Sequence, residues 1–117
     1  MGFGLLSALA PRRTSHVHVY RNITSVNVRH LHRMGGVTGP TIGSGPGHVH
    51  RMAGTTTFYD GHTHKYATVT GPAIPVFPGV HVHRYQGVTT VNGKVPHTHR
   101  FSGITAPAPD DITIVAP

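Results

Sequence analysis

All twelve histidines of this 117-residue chain stand in His-x-His pairs. The pairs are His16/His18, His30/His32, His48/His50, His62/His64, His81/His83 and His97/His99. No histidine lies outside a pair, so composition alone does not account for them. In extended chain, residues i and i+2 point to the same face, and each pair presents two imidazoles side by side. Wherever those imidazoles are buried, each must be ligated or hydrogen-bonded.

Each pair heads a longer unit. The next residue is basic in five of the six copies (Arg33, Arg51, Lys65, Arg84 and Arg100), with Val19 the exception. Then comes Tyr20, Met34, Met52, Tyr66, Tyr85 or Phe101, and three residues later Ile23, Val37, Thr55, Val69, Val88 or Ile104. A threonine closes every copy: Thr24, Thr38, Thr56, Thr70, Thr89 and Thr105. Asp60-Gly61 and Asn92-Gly93 join an odd copy to an even one and suit tight hairpin turns. Asn27-Val28 occupies that place in the first repeat and is a weaker signal. Even copies end at Gly39-Pro40, Gly71-Pro72 and Ala106-Pro107, where proline stops a central strand. The pattern predicts an all-β fold of three tandem β-hairpin repeats carrying six His-x-His strands, pseudo-symmetric or solenoid-like. It divides the chain into a tail at 1–15, a domain at 16–105 (repeats about 16–47, 48–80 and 81–105) and a tail at 106–117.

Within a copy the two histidines and the aromatic or Met residue fall at i, i+2 and i+4, on one face, with the basic residue on the other. The expectation is an inward face of imidazoles and an outward face of Arg and Lys. Metal ligation satisfies inward imidazoles most simply, so all twelve histidines are candidate ligands, for Fe, Zn, Ni or Cu. Two pairs make a four-nitrogen site and three pairs a six-nitrogen site. The threefold repeat favours two six-histidine sites, one from the odd pairs (16/18, 48/50, 81/83) and one from the even pairs (30/32, 62/64, 97/99). Three four-histidine sites and a metal-free ladder of hydrogen bonds are the alternatives.

Composition narrows the function. There are 15 Gly, 10 Pro and no Cys, so the thin core cannot be stapled by disulfides; metal or neighbouring subunits remain. Three acidic residues (Asp60, Asp110 and Asp111) and no thiol speak against an enzyme. Asp60 beside His62 reads as turn chemistry, with a 2-His-1-carboxylate iron site the alternative. The net charge of +7 admits nucleic acid as a partner, but the basic residues are spaced regularly and not clustered. Phe3–Ala10 has a short helical period, too short to span a bilayer and without the flanks of a signal peptide. Ile112–Val115 is an uncharged β-segment outside the repeats that is free to pair with another copy. Together these predict a self-assembling, metal-stabilised structural protein, a fibre subunit among the options, with tails 1–15 and 106–117 as contacts. An extracellular or cell-surface setting is preferred. The alternatives are a soluble metal-binding or storage module that does not assemble, and a basic nucleic-acid binder.

Three runs carry a resemblance: Thr55–His64 with its Asp-Gly-His-Thr-His, Thr70–Val76 with its Thr-Gly-Pro-Ala-Ile-Pro, and His81–Thr90. Over about residues 16–105 the chain resembles the YmaF family of bacterial His-x-His repeat proteins. That resemblance implies a bacterial source and a histidine-rich β-repeat, and it carries over no activity. Locally, the His-x-His units are similar to those at the tips of trimeric bacteriophage tail fibres and spikes. There, one pair from each of three chains surrounds iron.

Overall fold

The computed structural model describes residues 11–115; the expectation for Phe3–Ala10 lies outside them. Ten short strands follow one another. They are β1 (Arg12–Arg13), β2 (Val19–Ile23), β3 (Arg33–Val37), β4 (Arg51–Thr55), β5 (Lys65–Val69), β6 (Ala73–Phe77), β7 (Val80–Val88), β8 (Arg100–Ile104), β9 (Ala108–Pro109) and β10 (Thr113–Ile114). The only helical element among the described residues is a 3-10 turn at Gly45–Gly47. The all-β expectation holds, and β2–β3, β4–β5 and β7–β8 are the three antiparallel hairpins.

The hairpins close into a pseudo-threefold ring, and the solenoid alternative falls. At one end Gly39, Gly71 and Ala106 donate backbone N–H to Arg51, Arg84 and Val19. At the other end Thr57, Thr90 and Ser25 donate to Arg33, Lys65 and Arg100. The first set donates from hairpin one to two, two to three and three to one, and the second set donates in the opposite sense, so both join all three hairpins.

The histidine pairs sit at the strand ends. Five of them immediately precede their strands, while His81 and His83 lie inside β7. The repeated threonine holds this junction in place of a longer ladder. Thr38 Oγ1 accepts the His18 N–H at 3.0 Å, and the Thr38 N–H donates to the His18 carbonyl at 2.8 Å. The same double clasp joins Thr24 to His32, Thr70 to His50, Thr56 to His64, Thr105 to His83 and Thr89 to His99. Because Thr38 faces His18 and Thr24 faces His32, odd pairs gather at one end of the ring and even pairs at the other. They are on the order of 20 Å apart along the strands.

Between the two ends lies the apolar core: Tyr20, Met34, Met52, Tyr66, Tyr85 and Phe101, one residue from each copy. Tyr20 and Tyr66 share a hydroxyl–hydroxyl hydrogen bond of 2.7 Å. The rings need room, and the cross-strand partner supplies it: Tyr20 faces Gly36, Tyr66 faces Gly54, Tyr85 faces Gly103 and Phe101 faces Gly87. A Cβ on Gly87 would stand 2.5 Å from Phe101 Cζ. Gly87→Ala is therefore expected to cost about 1–3 kcal/mol. Urea denaturation measures it, and an unchanged midpoint would show that the ring can shift aside.

The second hairpin turns through Asp60 and Gly61, at φ 53° and 79°, as expected from that dipeptide. The first makes the same two-residue turn through Val28 and Arg29, at φ 50° and 66°. Left-handed backbone costs non-glycine residues about 1–2 kcal/mol each, and a β-branched valine is among the least suited. Ring closure overrides that preference, because His30 must reach the same place in hairpin one that His62 reaches in hairpin two. Val28→Asn with Arg29→Gly is expected to stabilise the protein by about 1–2 kcal/mol. A thermal melt that does not rise would refute this account of the turn.

Two segments depart from expectation. The second even copy ends at Gly71-Pro72 as expected, but the chain resumes at once as β6, an additional strand within the repeat that pairs with β7. The C-terminal β-segment is not free for another copy: β10 pairs with β1 of the same chain, Arg12 opposite Ile114.

Two candidate metal centres

The six odd histidines converge at one end of the ring and the six even ones at the other. In each group the ligand atoms all lie within 4.8 Å of one another. His18, His32, His50, His64, His83 and His99 are at most 1% exposed.

Proton placement follows from the partners of Nδ1. The second histidine of each pair donates Nδ1–H to the carbonyl just after the threonine of a neighbouring hairpin. His18 donates to Ala106, His50 to Gly39, His83 to Gly71, His32 to Thr57, His64 to Thr90 and His99 to Ser25, over 2.7–2.9 Å. First histidines donate to Gly45 (His48), Val28 (His30), Asp60 (His62) and Val95 (His97) carbonyls. His16 and His81 donate instead to the carboxylates of Asp111 and Asp110, at 2.7 and 2.6 Å. Every neutral ring thus spends its proton at Nδ1. Each Nε2 is left with a bare lone pair.

Those lone pairs point at one another. Odd Nε2 atoms approach to 2.9–3.2 Å, as in His16–His81, His48–His81 and His16–His48. Even ones approach to 3.0–3.3 Å, as in His97–His99 and His64–His97. With no proton between them these contacts are not hydrogen bonds. A cation at the centre turns the repulsion into attraction.

Ring packing has a regular connectivity. Each odd imidazole lies edge-on to four others, at centroid distances of 4.6–5.2 Å. Only His16/His83, His18/His48 and His50/His81 do not pair. The even rings repeat the pattern at 4.7–5.0 Å, with His30/His64, His32/His97 and His62/His99 unpaired. Four neighbours and one opposite is the connectivity of an octahedron. Each opposite pair joins a first histidine to a second one from another hairpin. An octahedron of imidazole nitrogens about 2.1 Å from an ion has edges of about 3.0 Å, close to the observed approaches. The donor set suits a first-row transition ion. The four-histidine alternative is not the arrangement seen.

Burial pushes the imidazoles of His18, His83 and His99 down from 6.5 to about 4, and the neighbouring histidines act in the same direction. His32, His50, His64 and His81 are lowered, again first by burial. Neutral imidazole is the form that ligates.

A family model described as "Spore germination protein GerY/YamF", of the YmaF family, matches residues 13–106. The chain belongs to the YmaF family. Neither a curated protein nor a solved structure matches it. In this YmaF member all twelve predicted histidines join one centre or the other. Arg33, Arg51, Lys65, Arg84 and Arg100 are exposed and spread over all three hairpins. Among the described residues no helix is long and apolar enough to cross a membrane. Asp60 serves the turn: its carbonyl takes the His62 proton, and its side chain is 62% exposed.

Sequence reasoning overlooked Asp110 and Asp111. Asp111 is 8% exposed, takes the His16 proton and also accepts from Thr41 Oγ1 at 2.7 Å. Burial alone would raise its pKa, but the bonds from His16 and Thr41 hold it below its ordinary value. Two adjacent aspartates before a β-segment carry no periodic signal, so spacing does not link them to His81 and His16, 29 and 95 residues away.

Proposed function

We propose that this YmaF chain is a structural module stapled by two transition-metal ions, each held by six histidine Nε2 atoms. The observation that carries the reading is the convergence of six proton-free Nε2 atoms in octahedral connectivity at both ends of the ring. Each ion would tie together all three hairpins and supply the cohesion that a six-residue apolar core does not. Six protein ligands leave no open position for a substrate, so the reading is not enzymatic. The family's description names spore germination. A durable part in that setting fits a chain with no oxidisable thiol.

The assembling form of this reading adds self-association. It is supported by Val19, Val37, Ile23, Val69, Val88 and Ile104, which are apolar and about half exposed on the outside of the hairpins. Elemental analysis of the purified protein tests the metal, with two ions per chain expected. X-ray absorption should find six nitrogen neighbours at about 2.1 Å. Metal-free protein with the same fold would defeat the proposal. Electron microscopy tests assembly, and monodisperse monomers at high concentration would remove that part alone.

A further inference from the structure

The two centres share a ligand geometry and differ in what stands behind it. Behind the even centre every Nδ1–H meets a backbone carbonyl. Behind the odd centre two of the six meet carboxylates, Asp111 at His16 and Asp110 at His81. We propose that Asp110 and Asp111 make the odd centre the tighter of two divalent-cation sites, so that metal leaves the even centre first and fills it last. This rests on reading the histidine clusters as metal centres.

Charge and basicity both argue for the order. Six neutral imidazoles do not offset an ion's two positive charges. At the odd centre two aspartates do (2 − 2 = 0), while the even centre keeps its charge inside a chain that is already +7. Asp60 is no substitute: its carboxylate stands 3.5 Å from His30 Nδ1, whose proton goes to the Val28 carbonyl, whereas Asp110, with a side chain 55% exposed, bonds His81 Nδ1 directly at 2.6 Å and Asp111 is only 8% exposed. A histidine that donates its second ring proton to a carboxylate is also the more basic ligand.

Strand pairing places the two aspartates. After Ala106 the chain crosses the odd end of the ring: β9 pairs with β7, and the Asp110 N–H donates to Gly79. Thr14 N–H then donates to Ile112, Ile112 N–H to Thr14 Oγ1, and β10 closes on β1. This latch begins where the family-matched residues 13–106 end and returns to their first strand.

The test uses Zn²⁺-loaded full-length protein at fixed pH, titrated with a chelator while histidine ring signals are followed by NMR. The first ion lost should perturb His30, His32, His62, His64, His97 and His99. In D110N/D111N each Asn keeps one oxygen to accept Nδ1–H and loses the charge, and Asn at 111 also exchanges the oxygen that accepts from Thr41 Oγ1 for an amide donor that can bond the same hydroxyl. Odd-centre affinity should then fall about 10–100-fold, with the even centre unchanged. Odd rings responding first, simultaneous loss, or unchanged odd affinity in the variant overturns the proposal while leaving two metal centres. Failure of both centres to take up Zn²⁺, Ni²⁺, Co²⁺ or Fe²⁺ overturns the metal reading itself.

Discussion

Chelation of the metal-loaded protein at neutral pH is expected to lower its thermal midpoint by tens of degrees. Six Nε2 lone pairs held 2.9–3.2 Å apart at the odd end repel one another without a cation. The rings cannot retreat, because each Nδ1–H is tied to a carbonyl or carboxylate. Structural metal sites contribute about 10–16 kcal/mol in small domains. In a chain of this size about 1 kcal/mol moves the midpoint by roughly 4–8 °C. Calorimetry with and without chelator measures the effect. Equal midpoints, with metal content falling from two ions to none, would show that the ring stands without its staples.

Acid should take apart the same protein between pH 6.5 and 4. Above pH 6.5 the imidazoles of His18, His83 and His99 are neutral in both folded and unfolded chains. Below it the unfolded chain binds protons that buried His18, His83 and His99 refuse until about pH 4. The unfolded state therefore binds more protons throughout that window. Stability falls as pH drops across it, then levels off below. Each pKa unit corresponds to about 1.4 kcal/mol for one group, and the lowered His32, His50, His64 and His81 add in the same direction. Bound metal moves the loss to lower pH within the window, because a proton must displace an ion. Circular dichroism unchanged from pH 7 to pH 4 would rule out buried neutral imidazoles.

Much of the site is legible because strand geometry writes itself into spacing. His-x-His at i and i+2, with an aromatic or Met at i+4, marks one inward face. The structure buries Tyr20, Met34, Met52, Tyr66, Tyr85 and Phe101 beside the histidines. Glycines opposite the rings were also present to be read: Gly36, Gly54, Gly87 and Gly103 each fall where an aromatic residue needs room across the hairpin. The turn at Val28-Arg29 could not be read from local preference, since both residues disfavour the conformation they adopt. β6 was hidden by the Gly71-Pro72 that precedes it.

Residue order alone settles that this chain is a threefold hairpin repeat whose histidines face inward in pairs, because those properties depend only on a period of two and on turn chemistry. Three matters were left to the tertiary structure: which pairs meet, where the ring closes, and that Asp110 and Asp111 stand behind His16 and His81. The reason is distance along the chain. His16 bonds Asp111 across 95 residues, and no local pattern encodes a contact made only when hairpin three returns to hairpin one.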